Sequence, residues 1–335
     1  MLPEYWLHFL SLHCCMDKKK VFITYKIPET GIQLLHKKGF SVEVYSKENL
    51  IPHSELVHKV KNVDAIISLL TDKIDKEVLD SMTKCRIIAN YAVGFNNIDI
   101  EYARSENIIV TNTPDVLTDS TADLTMALIL ACARRLLEGE RMMRESKFKG
   151  WRPQLLLGYE LKNKIFGIVG MGRIGLAVAK RAYAFGCRII YYSNNKNPEA
   201  EKLFNAKNVS LEYLMKNSDI ISLHIPLTHK TKNLINGNLL KMMKKTSIFI
   251  NTARGEVVDE KYLISLLKRK KIFAAGFDVY ENEPEINPEL LKLDNVVLLP
   301  HIGSATVEAR NAMSELAAKN VISVLSGKKP ITPVN

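Results

Sequence analysis

The sequence predicts an α/β protein of two domains, each built on a parallel sheet. Three observations carry that expectation. Short apolar runs alternate with helix-patterned segments along nearly the whole chain, as parallel strands joined by crossover helices do. A length of 335 residues suits about two domains. Residues 164–175 read Lys-Ile-Phe-Gly-Ile-Val-Gly-Met-Gly-Arg-Ile-Gly, an apolar strand that runs into G-x-G-x-x-G and then into the helical segment Leu176–Lys180.

Taken in order, residues 1–16 are read as a flexible extension. Tyr5 to Met16 is apolar but is broken by His8 and His13. It lacks a basic leading region and a small-residue cleavage site, so it is not read as a signal peptide. Strands follow at Val21–Ile27, Ser41–Tyr45, Asp64–Leu70, Arg86–Val93 and Ile108–Val110. Helices fall near 29–38, 53–60 and 74–81. A long helical segment is expected from Thr118 to about Glu145, entered through Thr113-Pro114-Asp115 with early negative charge. The second set of strands is 164–170, Arg188–Ser193, Ile220–Ile225, Ser247–Asn251, Phe273–Val279 and Val296–Pro300, before a last helix over Val307–Leu325.

Composition bounds the function. An apolar fraction of 47% supplies ordinary cores, and no run approaches the roughly 18 apolar residues of a membrane span. Five scattered cysteines, Cys14, Cys15, Cys85, Cys132 and Cys187, have no metal spacing. They suggest reduced thiols in a cytoplasmic protein without a metal site. The net charge of +11 comes from short lysine runs without interleaved aromatics. Nucleic-acid binding is therefore not expected, although a positive field would attract an anionic ligand.

Each glycine of the motif has a physical task. Gly170 permits the tight turn, Gly172 lets the backbone approach a pyrophosphate, and Gly175 lets helix and strand pack closely. The N–H groups opening the helix then face phosphate. The expected site is that of a nicotinamide dinucleotide on a Rossmann-like domain. A carboxylate usually ends the next strand and binds the ribose hydroxyls. Here that strand ends Tyr191-Tyr192-Ser193-Asn194-Asn195-Lys196. Ser193, Asn194 and Lys196 can donate to a 2′-phosphate, so NADP(H) is favoured, with NAD(H) as the alternative.

Three strand ends carry the chemistry: Asn251-Thr252-Ala253-Arg254-Gly255, Asp278-Val279-Tyr280-Glu281-Asn282-Glu283 and Pro300-His301-Ile302-Gly303. Ligands bind at this edge of open α/β sheets. A guanidinium such as Arg254 grips a carboxylate through two parallel bonds. A histidine such as His301 can protonate a carbonyl oxygen as hydride arrives at carbon. A carboxylate such as Glu283 favours the imidazolium. Arg254, Glu283 and His301 together suit reduction of a 2-keto acid. Taken singly, each has an ordinary reading as a salt-bridge partner, a solvated side chain or a turn residue.

With these segments, the chain resembles the D-isomer-specific 2-hydroxyacid dehydrogenases. The matching stretches are GIVGMGRIG (167–175), SLHIPLT (222–228), INTARG (250–255), GFDVYENEP (276–284) and LLPHIGSAT (298–306). Arg254, Glu283 and His301 stand 29 and 18 positions apart, the spacing of the family's triad. Within the family, TNTPDVLTDSTADL (111–124), ARRLLEGERM (133–142) and FKGWRPQLLLGYEL (148–161) are most similar to reductases of glyoxylate and hydroxypyruvate.

The resemblance implies that Arg254 holds the substrate carboxylate with the N–H groups of Val93 and Gly94. His301 is the acid/base, oriented and charged by Glu283. Arg173 and Ile174 line the pyrophosphate turn, Thr252, Ala253 and Gly303 flank the nicotinamide, and Asp278 accepts from its carboxamide. His224 would be structural and His229 superficial. The first domain would be discontinuous, 17–115 with 305–335 and flavodoxin-like, around an inserted cofactor domain at 116–304. Substrate would lie in the cleft between them. Leu69, Leu70 and Trp151 suggest a small pocket. A homodimer through the 118–145 helix is implied, with Trp151 reaching toward the neighbour's site. Asn194 is a departure, because NADP(H)-using reductases of this type often carry Arg there. The alternatives are another D-2-hydroxyacid dehydrogenase, for lactate, glycerate or a bulkier 2-keto acid, and a cofactor-sensing protein like the family's corepressors.

Overall fold

The computed structural model describes residues 18–335. The expected extension over 1–16, with Cys14 and Cys15, lies outside the described residues. The chain divides into two compact units, one running up to Thr113 and resuming over Ser314–Asn335, the other Pro114–Met313.

The first unit runs β1 (Lys20–Ile23), α1 (Glu29–Lys37), β2 (Ser41–Val44), α2 (His53–Lys59), β3 (Ala65–Ser68), α3 (Lys76–Asp80), β4 (Ile87–Asn90), α4 (Ile100–Ser105) and β5 (Ile109–Thr111). Its sheet is parallel, in the order β2-β1-β3-β4-β5, the order of flavodoxin-like folds. The central strands β3 (AIIS) and β4 (IIAN) are buried throughout, as continuous apolar runs between two helical layers must be. At the edge, β2 alternates instead, with Ser41 and Glu43 exposed. Leu69 follows β3, and the Tyr91–Gly94 loop follows β4, so both stand at the carboxyl edge.

In the second unit come α5 (Thr118–Ala133), α6 (Leu136–Arg144), β6 (Ile165–Val169), α7 (Arg173–Ala184), β7 (Arg188–Tyr192), α8 (Pro198–Phe204), β8 (Lys207–Asn208), α9 (Leu211–Asn217), β9 (Ile220–Leu223), α10 (Gly237–Leu240), β10 (Ile248–Asn251), α11 (Glu260–Lys268), β11 (Ala274–Phe277) and β12 (Val296–Leu298). The parallel sheet has the order β12-β11-β10-β9-β6-β7-β8. Alternate strand residues feed two cores. Ile248 and Ile250 pack with α5 and α7, whereas Phe249 packs with α9, α10 and α11, as the pleat dictates. The order reverses between β6 and β9, the crevice where such sheets take dinucleotides.

Two expectations about the chain path change. The long helix from Thr118 to Glu145 is broken: α5 stops at Ala133, and Arg135 is left-handed at φ 52° before α6 begins. Its last carbonyl, on Ala133, accepts from Tyr159 N–H at 2.9 Å, and Arg135 turns into a two-bond pair with Glu138 at 2.8 and 2.6 Å. These contacts end the helix, and no breaker residue in the sequence announces them. Within the expected apolar stripe Leu128 is buried, Leu124 and Ala131 are half-buried, and Ala127 and Leu136 are exposed. The second difference concerns the return to the first unit. It falls between Met313 and Ser314, inside the continuous α12 (Val307–Leu325), rather than near Ala305.

Candidate active site

The glycine-rich turn has the shape a pyrophosphate needs. Gly170 lies at φ +101°, and a Cβ there would come 2.5 Å from the carbonyl oxygen of His224 at the end of β9. That places the turn against the β6/β9 crevice. At Gly172 an added Cβ would meet nothing within 4 Å, whereas at Gly175 it would lie 2.0 Å from Gly170 O. The turn is thus open at Gly172 and tight where it packs at Gly170 and Gly175. Arg173 and Ile174 open α7, and Arg173 pairs with exposed Asp115 at 2.5 Å.

The loop after β7 is held from beneath by residues to which no role was expected. Asn197 caps α8 by accepting from Ala200 N–H at 3.0 Å, and its amide donates to Met171 O in the glycine-rich turn at 3.0 Å. Its own N–H donates to the fully buried Tyr191 hydroxyl at 2.9 Å, which donates to Glu201 at 2.8 Å. The Asn197-Pro198 dipeptide is a helix-start signal and could have marked the cap. Ser193 is half-buried in this loop, and Asn194 and Lys196 are exposed.

Three loops at the same sheet edge bring the polar groups together. His301, left-handed at φ 55°, directs Nδ1 to Glu283 Oε2 at 2.7 Å. Glu283 Oε1 accepts from Tyr280 N–H at 3.0 Å. Burial raises the Glu283 pKa, but the His301 bond and charge, the Tyr280 N–H and the Arg254 charge outweigh it and hold the carboxyl below its ordinary range. Asp278 is buried, and its two oxygens accept from Ile302 and Gly303 N–H at 2.7 Å each. It therefore fixes the backbone just beyond His301. Burial nevertheless pushes its pKa up against those two bonds. Tyr280 is buried, with its hydroxyl on Leu299 O at 2.8 Å.

Arg254 follows β10 on a loop stitched by buried Asn251, which donates to Arg254 O at 2.9 Å and accepts from Ala253 N–H at 3.0 Å. Burial pulls the guanidinium pKa down, and Glu283 and Glu256 partly offset that pull. Gly255 then packs against the loop carrying Glu283. A Cβ there would lie 1.9 Å from Tyr280 C. Buried Glu260 braces the same loop by accepting from Glu281 N–H at 3.2 Å. Thr252 meets Thr125 of α5 at 3.1 Å, and Ala253 is buried.

The remaining expected residues lie apart from this cluster or in the first unit. His224 bonds Ser222 at 2.8 Å, and burial drops its pKa to about 3, which leaves it neutral near pH 7. His229 is exposed. Leu69, Val93 and Gly94 stand at the carboxyl edge of the first sheet. Trp151 is 81% exposed. Among the described residues no group of three His, Cys, Asp or Glu side chains is placed to hold a metal, and Cys85, Cys132 and Cys187 are buried free thiols.

The comparisons with known proteins fit this geometry. Residues 126–303 match the D-isomer specific 2-hydroxyacid dehydrogenase, NAD binding domain. The chain belongs to that family. It is 53% identical to a glyoxylate reductase of Thermococcus litoralis over 95% of this chain and 97% of that protein. Among solved structures, a Thermus thermophilus protein has a TM-score of 0.89 at 43% identity, over 94% of this chain and 100% of that one. An NADPH-dependent glyoxylate/hydroxypyruvate reductase from Sinorhizobium meliloti, in complex with NADP and malonate, has a TM-score of 0.84 at 31% identity, over 95% and 97% of the chains. As a 2-hydroxyacid dehydrogenase, the chain is an NAD(P)-dependent oxidoreductase of small 2-keto and 2-hydroxy acids. No helix among the described residues is long and apolar enough to cross a membrane.

Proposed function

We propose that the protein reduces glyoxylate and hydroxypyruvate to the corresponding 2-hydroxy acids. The 2.7 Å pair between His301 and Glu283 carries this reading, supported by the high identity to a glyoxylate reductase. Bound NAD(P)H supplies the hydride. His301 donates the proton to the carbonyl oxygen that becomes the hydroxyl, from the ring nitrogen opposite the one facing Glu283. Arg254 holds the carboxylate, aided by the N–H groups of Val93 and Gly94, and Leu69 and Trp151 limit the side chain admitted. Glycines 170, 172 and 175, with Arg173 and Ile174, hold the pyrophosphate. Thr252, Ala253, Gly303 and Asp278 lie at the nicotinamide. A steady-state assay of NAD(P)H oxidation with glyoxylate, hydroxypyruvate, pyruvate and a branched 2-keto acid tests the assignment. Preference for the branched acid would overturn it.

Glu283→Gln is expected to move the pH profile. The bond and charge of His301 help hold the Glu283 carboxyl low. The amide keeps the hydrogen bond and loses the attraction between charges. Reduction requires the protonated ring, so the rate should fall away at lower pH than in the parent. A superimposable profile would separate Glu283 from the acid.

NADPH is the proposed cofactor, because Ser193, Asn194 and Lys196 offer donors and no carboxylate. Ser193→Asp should shift the kcat/KM ratio toward NADH, since a carboxylate accepts from ribose hydroxyls and repels a 2′-phosphate. An unchanged ratio would place the ribose elsewhere.

A homodimer through α5, α6 and the Trp151 loop is also proposed. Leu136, Leu137, Met143, Phe148, Trp151 and Leu157 are all exposed, and so many large apolar side chains exposed within one stretch of chain suit an interface. Light scattering at assay concentration should give twice the chain mass, and a fully active monomer would refute it. Free buried thiols support a cytoplasmic setting, and neither a nucleic-acid nor a membrane partner is proposed.

A further inference from the structure

We propose that Asn112 is a positioning residue that aims the Gly94 N–H, beside that of Val93, at a carboxylate, with Asn90 securing the far end of the same loop. The inference rests on the substrate reading above. The loop after β4 is anchored by three consecutive carbonyls. Ala92 O accepts from Thr113 N–H at 2.9 Å, Val93 O from the Asn112 amide at 2.9 Å and Gly94 O from the Asn90 amide at 2.7 Å. In a planar trans peptide the N–H points opposite to the carbonyl of the same unit. Tying the Ala92 and Val93 carbonyls to Asn112 and Thr113 therefore turns the Val93 and Gly94 N–H groups side by side, away from β5. Among the described residues none accepts from either N–H, and both residues are half-buried. Adjacent N–H groups turned the same way form an anion-binding concavity.

Neither asparagine is free to turn. Asn90 is fully buried, and its amide oxygen accepts from Ser68 Oγ at 3.2 Å, which leaves the NH2 facing Gly94. Asn112 is clasped by Thr332. Its N–H donates to Thr332 O at 3.2 Å, and its carbonyl accepts from Thr332 Oγ1 at 2.6 Å. Fully buried Asn320 of α12 holds Thr332 in turn, donating to Oγ1 at 2.9 Å and accepting from Thr332 N–H at 3.1 Å. A continuous chain of bonds thus runs Asn320, Thr332, Asn112, Val93. An uncharged donor suits this place, because an aspartate would repel both the carbonyl and an incoming anion.

The test compares the parent with Asn112→Ala and with Thr332→Val, which loosens Asn112 from behind. With saturating NADPH, Asn112→Ala should raise the KM for glyoxylate about three- to tenfold, the weight of one ordinary hydrogen bond. The turnover number should change less, and NADPH affinity should stay that of the parent. Thr332→Val should move KM in the same direction by less. In protein labelled with 15N-glycine, the Gly94 amide should shift on titration with oxamate in the parent, and in Asn112→Ala it should shift less and at higher oxamate. Parental KM in both variants, or a Gly94 amide silent to oxamate in a parent that reduces glyoxylate, would overturn the proposal. A parent inactive on glyoxylate would overturn the substrate reading instead, and the Gly94 response would still decide the positioning role.

Discussion

Replacing His301 by alanine is expected to lower kcat by about 10²–10⁴, the usual weight of a positioned acid/base, while NADPH binds much as before. Glu283 Oε2 meets the His301 ring, and Oε1 accepts from Tyr280 N–H. Neither Asp278 nor Tyr280 is placed to take over from His301. Asp278 is turned inward onto Ile302 and Gly303, and Tyr280 is committed to Leu299 O. The backbone turn at residue 301 should survive, because Asp278 anchors it independently of the ring. Fluorescence titration with NADPH and single-turnover rates across pH 5–9, about the range over which histidine changes charge, separate binding from chemistry. Near-parental turnover throughout that range would remove His301 from the reaction.

Gly255→Ala should be nearly as severe without touching a reacting group. The added Cβ would lie 1.9 Å from Tyr280 C and 2.1 Å from Tyr280 O, both rigid backbone atoms. The Arg254 loop and the Glu283 loop must then separate by about 1 Å or more, and a misplacement of that size can cost on the order of 100-fold in rate. The loss should appear in kcat/KM for the keto acid, together with a lower melting temperature. Because Gly170, Gly172 and Gly175 lie on a different loop, NAD(P)H affinity should fall less than kcat/KM, with only the Thr252 and Ala253 side affected. A parental kcat/KM would show that the two loops are not coupled through this contact.

Much of the fold was legible in the chain. Buried parallel strands are continuous apolar runs, so β3, β6, β9 and β10 announced themselves within a residue or two and β4 within three. The edge strand β8, only Lys207–Asn208, has too little burial to leave a pattern. The break between α5 and α6 was invisible for a different reason. Residues 126–138, on both sides of the break, contain no proline or glycine and are mostly good helix formers, and the stop comes from Tyr159 reaching the Ala133 carbonyl across the fold. At the candidate site, the glycine spacing and the Arg254, Glu283 and His301 strand ends were readable because each sits in a short local motif. The residues behind them were not. Asn251, Glu260, Asn90 and Asn112 bond to carbonyls or N–H groups, which carry no side-chain signature, whereas Asn197 carries only the signature of a helix cap.

The sequence by itself determined the α/β class, the place of the glycine-rich turn and the polar residue types that end three neighbouring strands. Each depends on periodicity or on spacing within a few residues. Only the tertiary structure decided where the long helix stops, that Asp278 braces the His301 loop, and that Asn112 holds Val93 through bonds reaching Thr332 and Asn320. Those facts rest on hydrogen bonds between segments as many as 220 residues apart. The direction of a backbone N–H follows from which distant donor has captured the neighbouring carbonyl, and that is settled only when the chain has closed on itself.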